Sequence, residues 1–101
     1  MDGVTGVAVL DDIVYMVAGM SSKIMCFNVS THRRLKDMRV QQLRSACDIA
    51  ACHQTSRLYV ADETDQSIWQ VDVSSGTCNY THIILDWDAG VVVWDEVQTC
   101  M

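Results

Sequence analysis

The sequence predicts an all-β fold assembled from repeated four-stranded antiparallel sheets, and three observations carry that expectation. Residues 14–29, VYMVAGMSSKIMCFNV, align without a gap on residues 58–73, LYVADETDQSIWQVDV, at an offset of 44; self-similarity at such a period marks a repeat architecture. The apolar residues fall in runs of four to six, rich in Val, Ile, Tyr, Trp and Phe and bounded by Gly, Ser, Asp, Asn and Thr, the composition of strands and turns. At 101 residues, half of them apolar and a fifth charged, the chain has the size and balance of one globular domain or a piece of one.

The first unit reads as strand A over Gly6–Leu10, B over Ile13–Ala18, C over Lys23–Val29 and D over about Leu35–Val40. The second reads as Asp48–Cys52, Arg57–Ala61, Ser67–Val73 and about Asn79–Leu85. Matched positions include Tyr15 with Tyr59, Ile24 with Ile68, Asn28 with Asp72 and Val29 with Val73. Gly6–Asp12 also resembles Gly90–Glu96 at an offset of 84, with Asp48–Ala51 midway at 42. The difference of two residues between 42 and 44 is assigned to the His53–Arg57 turn. One competitor stands against strand D: Arg33–Cys47 could place Leu35, Met38, Leu43 and Ala46 on one face of a helix. The strand is preferred because the matching residues of the second unit, Thr77–Leu85, are strand-like.

Several of these runs are apolar at consecutive positions, which requires cover on both sheet faces. With no long helices to supply it, other sheets must, and four-stranded units of about 40–45 residues that stack face to face are the blades of a β-propeller. The expected architecture is therefore an incomplete β-propeller: a blade over 4–44, a second over 45–87, and over 88–101 the first strand of a third blade with a tail. Two blades and a fraction cannot close a ring of about four to eight. The chain is thus expected to be a fragment of a longer propeller, with a protomer that completes a ring by association as the second choice.

The segment DIAACHQTSRLYVADETDQSIWQVDVSSG resembles the repeat of NHL-type and TolB-like six-bladed β-propellers. In that repeat an apolar "GIAV" or "DIAV" strand is followed by a turn, "LYVAD", a polar turn, and "I…V-D" before a Gly. Here the matching elements are Asp48–Ala51, Leu58–Asp62, Ile68, Val71-Asp72 and Gly76. The likeness covers nearly all of residues 4–96. It departs in having no Pro, which the family often carries before strand A, where Ala46 and Cys47 stand. The resemblance implies a propeller and permits protein binding or RNA binding.

Charge is divided unevenly along the chain. All seven Lys and Arg residues lie between Lys23 and Arg57, giving residues 1–58 a net charge of +2, whereas residues 59–101 carry eight acids and no base, a net of −8. A total of −6 argues against whole-surface attraction to nucleic acid and leaves only a local basic patch. That patch is His32, Arg33, Arg34, Lys36, Arg39 and Arg44, and it contains no aromatic for base stacking. Charges on an outer strand also block edge pairing, so a solvated edge is the preferred explanation. Five cysteines without a signal-peptide pattern point to free thiols and a cytoplasmic location. The triplets at Asn28 and Asn79 matter only if the chain is exported. No apolar run approaches the roughly 20 residues of a membrane-spanning helix, and no membrane partner is expected.

Catalytic and metal chemistry find little support. His32, His53 and His82 are scattered across the repeat, and Cys52-His53 are strand neighbours that point to opposite faces. Cys47-x4-Cys52-His53 lacks zinc spacing, and Asp86–Gly90 opens like a calcium loop but lacks the later acids. Asp62, Asp65 and Asp72 are expected in turns; Tyr15, Tyr59, Trp69 and the methionines are expected in packing. No enzyme activity, catalytic residue, metal or cofactor is expected. The function expected is a non-catalytic protein-interaction module, with self-association through exposed blade faces as one route. The alternative is RNA binding through Arg33, Arg34, Lys36, Arg39 and Arg44.

Overall fold

The computed structural model describes residues 3–64, 67–74, 79–86 and 91–99. They form nine strands: β1 (Val4–Leu10), β2 (Ile13–Ala18), β3 (Lys23–Asn28), β4 (Met38–Arg39), β5 (Ala46–Cys52), β6 (Arg57–Asp62), β7 (Ser67–Asp72), β8 (Asn79–Asp86) and β9 (Val91–Thr99). The order is β1-β2-β3-β4 in one sheet and β5-β6-β7-β8-β9 in the other, all antiparallel. No α-helix occurs among the described residues.

The repeat is present in the backbone at the level of single hydrogen bonds. The ladder between β1 and β2 skips one residue between Val4 and Gly6, and the ladder between β5 and β6 skips one between Ala46 and Asp48. The Val29 amide donates to the Asp12 carbonyl at 2.9 Å, and the Val73 amide donates to the Ser56 carbonyl at 3.1 Å. Asp12 and Ser56 both hold positive φ, 65° and 53°. The first hairpin turns on Asp11-Asp12 alone, both at positive φ, the geometry whose twist matches that of the flanking strands. The second turns on His53–Ser56, so the extra two residues of the second unit lie there.

Alternation along the strands divides each sheet into a buried and a free face. In the first sheet Leu10, Tyr15, Val17, Ile24 and Cys26 are buried; in the second, Ile49, Leu58, Val60, Trp69, Val71 and Tyr80. These residues, with Val40, Leu43 and Ala46, make one hydrophobic core between the sheets. Trp69 stacks on His82 at 4.0 Å and meets the Tyr80 ring edge-on at 5.6 Å.

The sheets touch backbone to backbone where β1 crosses β5. A Cβ on Gly6 would lie 2.9 Å from the Ile49 nitrogen and 3.1 Å from the Asp48 Cα, so no other residue fits without moving main chain. Thr5, the residue the bulge leaves unpaired, donates from Oγ1 to the Ala46 carbonyl at 2.8 Å.

Two expectations are corrected. Val91–Trp94 does not open a third sheet: Val91–Thr99 is a fifth strand, antiparallel to β8, with Ile83 opposite Trp94 and Asn79 opposite Thr99. Pairing there satisfies backbone donors and acceptors that a lone strand would leave open. The fourth strand of the first sheet is also shorter than Leu35–Val40. Only Met38–Arg39 pairs as a strand, supported by a bridge between Phe27 and Arg34 and by amide bonds from Leu35 to Cys26 and Val40 to Ser22. Arg33–Cys47 is not helical.

Replacing Gly6 by Ala is expected to cost about 1–3 kcal/mol, the range for forcing atoms into a filled site, whereas Gly3→Ala, with nothing within 4 Å, is expected to stay within about 0.5 kcal/mol. Urea denaturation of the two variants checks this; equal midpoints would contradict the close contact.

Candidate interaction surface

Among the described residues, each sheet leaves one face without cover. On the first sheet that face carries Val7 and Val9, 55% and 48% exposed, and half-buried Val14, Met16, Met25 and Phe27. Val7 stands opposite Met16, Met16 opposite Met25, and Val14 opposite Phe27, so these side chains are cross-strand neighbours and form one apolar strip. At its upper end a pocket of about 480 Å³ opens between Val4, Met16, Ala18, Met20 and Met25, with Met20 78% exposed. Contiguous apolar surface of this kind is the usual mark of an interaction site.

The free face of the second sheet carries Ala50, Tyr59, Ala61, Ile68 and Gln70. A shallow trough of about 200 Å³ lies between Asp48, Ala50, Tyr59, Ala61 and Ile68. Trp69 and Tyr15 are buried in the core, whereas Tyr59 is only half-buried and belongs to this trough.

The basic residues are not equivalent. Arg33, Lys36, Arg39 and Arg44 are exposed. Arg34 reaches Asp37 at 3.2 Å and lies 5.8 Å from the centre of the Phe27 ring. Lys23 stands opposite Arg39 on the free face of the first sheet. Arg44 contributes its backbone: its amide donates to Asp62.

Asp62 ends β6 and is buried. Its carboxylate accepts from the amides of Arg44, Ser45 and Thr64 at 3.1, 3.3 and 3.0 Å, and from the Trp69 indole at 3.4 Å. Burial alone would raise its pKa, but the Thr64 and Arg44 amides, the Thr64 hydroxyl and the indole together hold it below the usual value. Asp72 is likewise lowered, chiefly by the Ser74 hydroxyl and amide, at 2.6 and 2.9 Å. Both acids close turns. Asp65 and the Trp87–Gly90 part of the calcium-like segment lie outside the described residues.

Among the thiols, Cys26 is buried and pushed up to about 11 by that burial and by Asp37. Cys47 is raised as well, by desolvation and then Glu63. Cys52 is lowered by hydrogen bonds from the Thr55 hydroxyl and amide. His32 and His53 are exposed in turns, and His82 lies flat on Trp69. Among the described residues no group of three or more His, Cys, Asp or Glu could hold a metal ion, and no helix is long and apolar enough to cross a membrane.

Sequence reasoning missed the division into free faces, which depends on which face each sheet turns inward. It also missed the role of Asp62 in joining a loop, a turn and an indole. Comparison with protein families, with curated proteins and with solved structures finds no match.

A carboxyl whose folded pKa is lowered contributes stability that is complete above its unfolded pKa and is lost as pH falls through the folded one. Below about pH 4 the protein is therefore expected to lose the Asp62 contribution, and Asp62→Asn should show a shallower acid limb in thermal melts. At neutral pH Asp62→Ala should cost about 1–3 kcal/mol through buried donors left unpaired. Thiol alkylation followed by peptide mass spectrometry should modify Cys52 well before Cys26; equal rates would contradict the burial and thiolate difference.

Proposed function

We propose that the protein is a non-catalytic interaction module made of propeller-type blades, each four-stranded unit presenting sheet faces and turns to protein partners. The observation that carries this reading is the uncovered apolar strip of Val7, Val9, Val14, Met16 and Met25 beside the Met20 pocket. The repeated bulge and the repeated turn hydrogen bond support treating the two sheets as copies of one blade, and the likeness of Asp48–Gly76 to NHL-type and TolB-like repeats agrees with it. A fifth strand at the outer edge is an addition to that plan.

RNA binding through Arg33, Arg34, Lys36, Arg39 and Arg44 is the weaker reading. Arg34 is partly neutralised by Asp37, and the half-buried Phe27 ring beside the patch is already met by the Arg34 guanidinium at 5.8 Å, while the exposed Val29 and Leu35 offer no ring for a base to stack on.

Val7→Lys/Val9→Lys alters exposed positions and should leave stability within about 0.5 kcal/mol. Proximity labelling in cells should show the wild-type chain marking a defined set of proteins that the double variant no longer marks. An unchanged set would remove this face from the interaction.

A further inference from the structure

The chain carries one unfilled copy of each half of the interface it already makes. Between its two sheets, the face of Tyr15, Val17, Ile24 and Cys26 packs against the face of Leu58, Val60, Trp69 and Val71. Shifted by the 44-residue repeat, the first set becomes Tyr59, Ala61, Ile68 and Gln70, the free face of the second sheet. Shifted the other way, the second set becomes Val14, Met16, Met25 and Phe27, the free face of the first sheet. All eight equivalents are half-buried rather than buried.

We propose that a second copy of this chain covers them, the second sheet of one copy docking head to tail on the first sheet of the next. This deepens the interaction-module reading and rests on it, by naming the partner. Charge favours the same arrangement. Lys23 and Arg39 stand as neighbours on the free face of the first sheet, at the end where β2 gives way to β3. Asp48 is exposed on the free face of the second sheet, opposite Ala61 at the corresponding end. Head-to-tail contact brings a face that carries Lys23 and Arg39 against a face that carries Asp48, whereas contact between like faces would oppose like charges.

One difference from the internal interface locates the contact. Asp48 occupies the place in the repeat that Gly6 holds in the first sheet, where a Cβ would meet main chain at 2.9 Å. The close β1–β5 approach is therefore not repeated between copies. The contact runs over β6 and β7, through Tyr59 and Ile68, with Asp48 at the rim. Three copies would bring six sheets together, within the range of about four to eight that closes a propeller.

Light scattering on the full chain tests this. At about 100 μM the wild type should show a mass above one protomer that falls on dilution. Met25→Asp and Ile68→Asp should each be monomeric, since each destroys one half of the contact. Mixed in equal amounts they should form a species of twice the protomer mass, because each variant still owns the half the other lacks. Near-ultraviolet circular dichroism verifies folding. If an aspartate unfolds its sheet, the exposed pair gives the same answer: Lys23→Glu should weaken association and Lys23→Glu/Asp48→Lys should recover it. A wild type that stays monomeric, or a mixture or charge swap that restores nothing, would overturn the proposal. Labelling of other proteins that depends on Val7 and Val9 would survive that result, so the two readings fail separately.

Discussion

The close approach of β1 and β5 at Gly6 is the constraint on which the rest of the structure depends. Two sheets can share a core only if their inner strands come near enough for side chains from both to interdigitate. Here the approach is set by main chain rather than by side chains: Gly6 lies against Asp48 and Ile49 with no room for a Cβ. The neighbouring bulge frees Thr5 from the β1–β2 ladder, and its hydroxyl then bonds the Ala46 carbonyl across the junction. Bulges commonly re-aim a side chain in this way. With the junction fixed, Leu10, Tyr15 and Val17 are placed over Ile49, Leu58 and Val60 in one core, and the opposite faces are left outside it.

The second organising element is the Asp62 carboxylate. It stands one strand away from the junction and gathers the amides of Arg44 and Ser45 on the connection between sheets, the amide of Thr64 in the following turn, and the Trp69 indole on β7. A buried carboxylate is costly unless such donors surround it. Here they do, so the same group that would weaken an apolar core ties the inter-sheet connection to the middle of the second sheet. The first sheet has Ala18 at the equivalent position, outside the core, so this tie belongs to the second sheet.

Most strand positions were legible because they depend on local pattern. Ile13–Ala18 is found as expected, and Lys23–Val29, Ser67–Val73 and Asn79–Leu85 shift by a single residue at one end. The 42-against-44 mismatch also pointed to the His53–Arg57 turn, and the extra residues are found in its first four positions, with Arg57 already paired to Cys52. What pattern could not supply was the choice of pairing partner. Val91–Trp94 looks like another Gly6–Leu10, yet the strand pairs with the open edge of β8, because an edge attracts whichever strand is adjacent in the chain. The segment after β3 failed in another way. Lys36, Asp37 and Arg39 alternate too poorly with apolar residues to hold a full ladder, and pairing contracts to Met38–Arg39. The candidate surface was legible in content, since its Val and Met residues were marked as strand residues, but not in location. Identical alternation serves either face, and only the fold decides which turns inward.

The two hairpin turns close the same hydrogen bond with different numbers of residues, two in the first sheet and four in the second. Strand register is thus insulated from turn length at this corner of the repeat. Lengthening a flexible loop costs only about 0.6 kcal/mol for each doubling, and the tip residues His53, Gln54 and Thr55 are all exposed. For protein engineering, this corner is the natural place to splice in a peptide tag or a reporter, since the strands on either side already accommodate loops of unequal size.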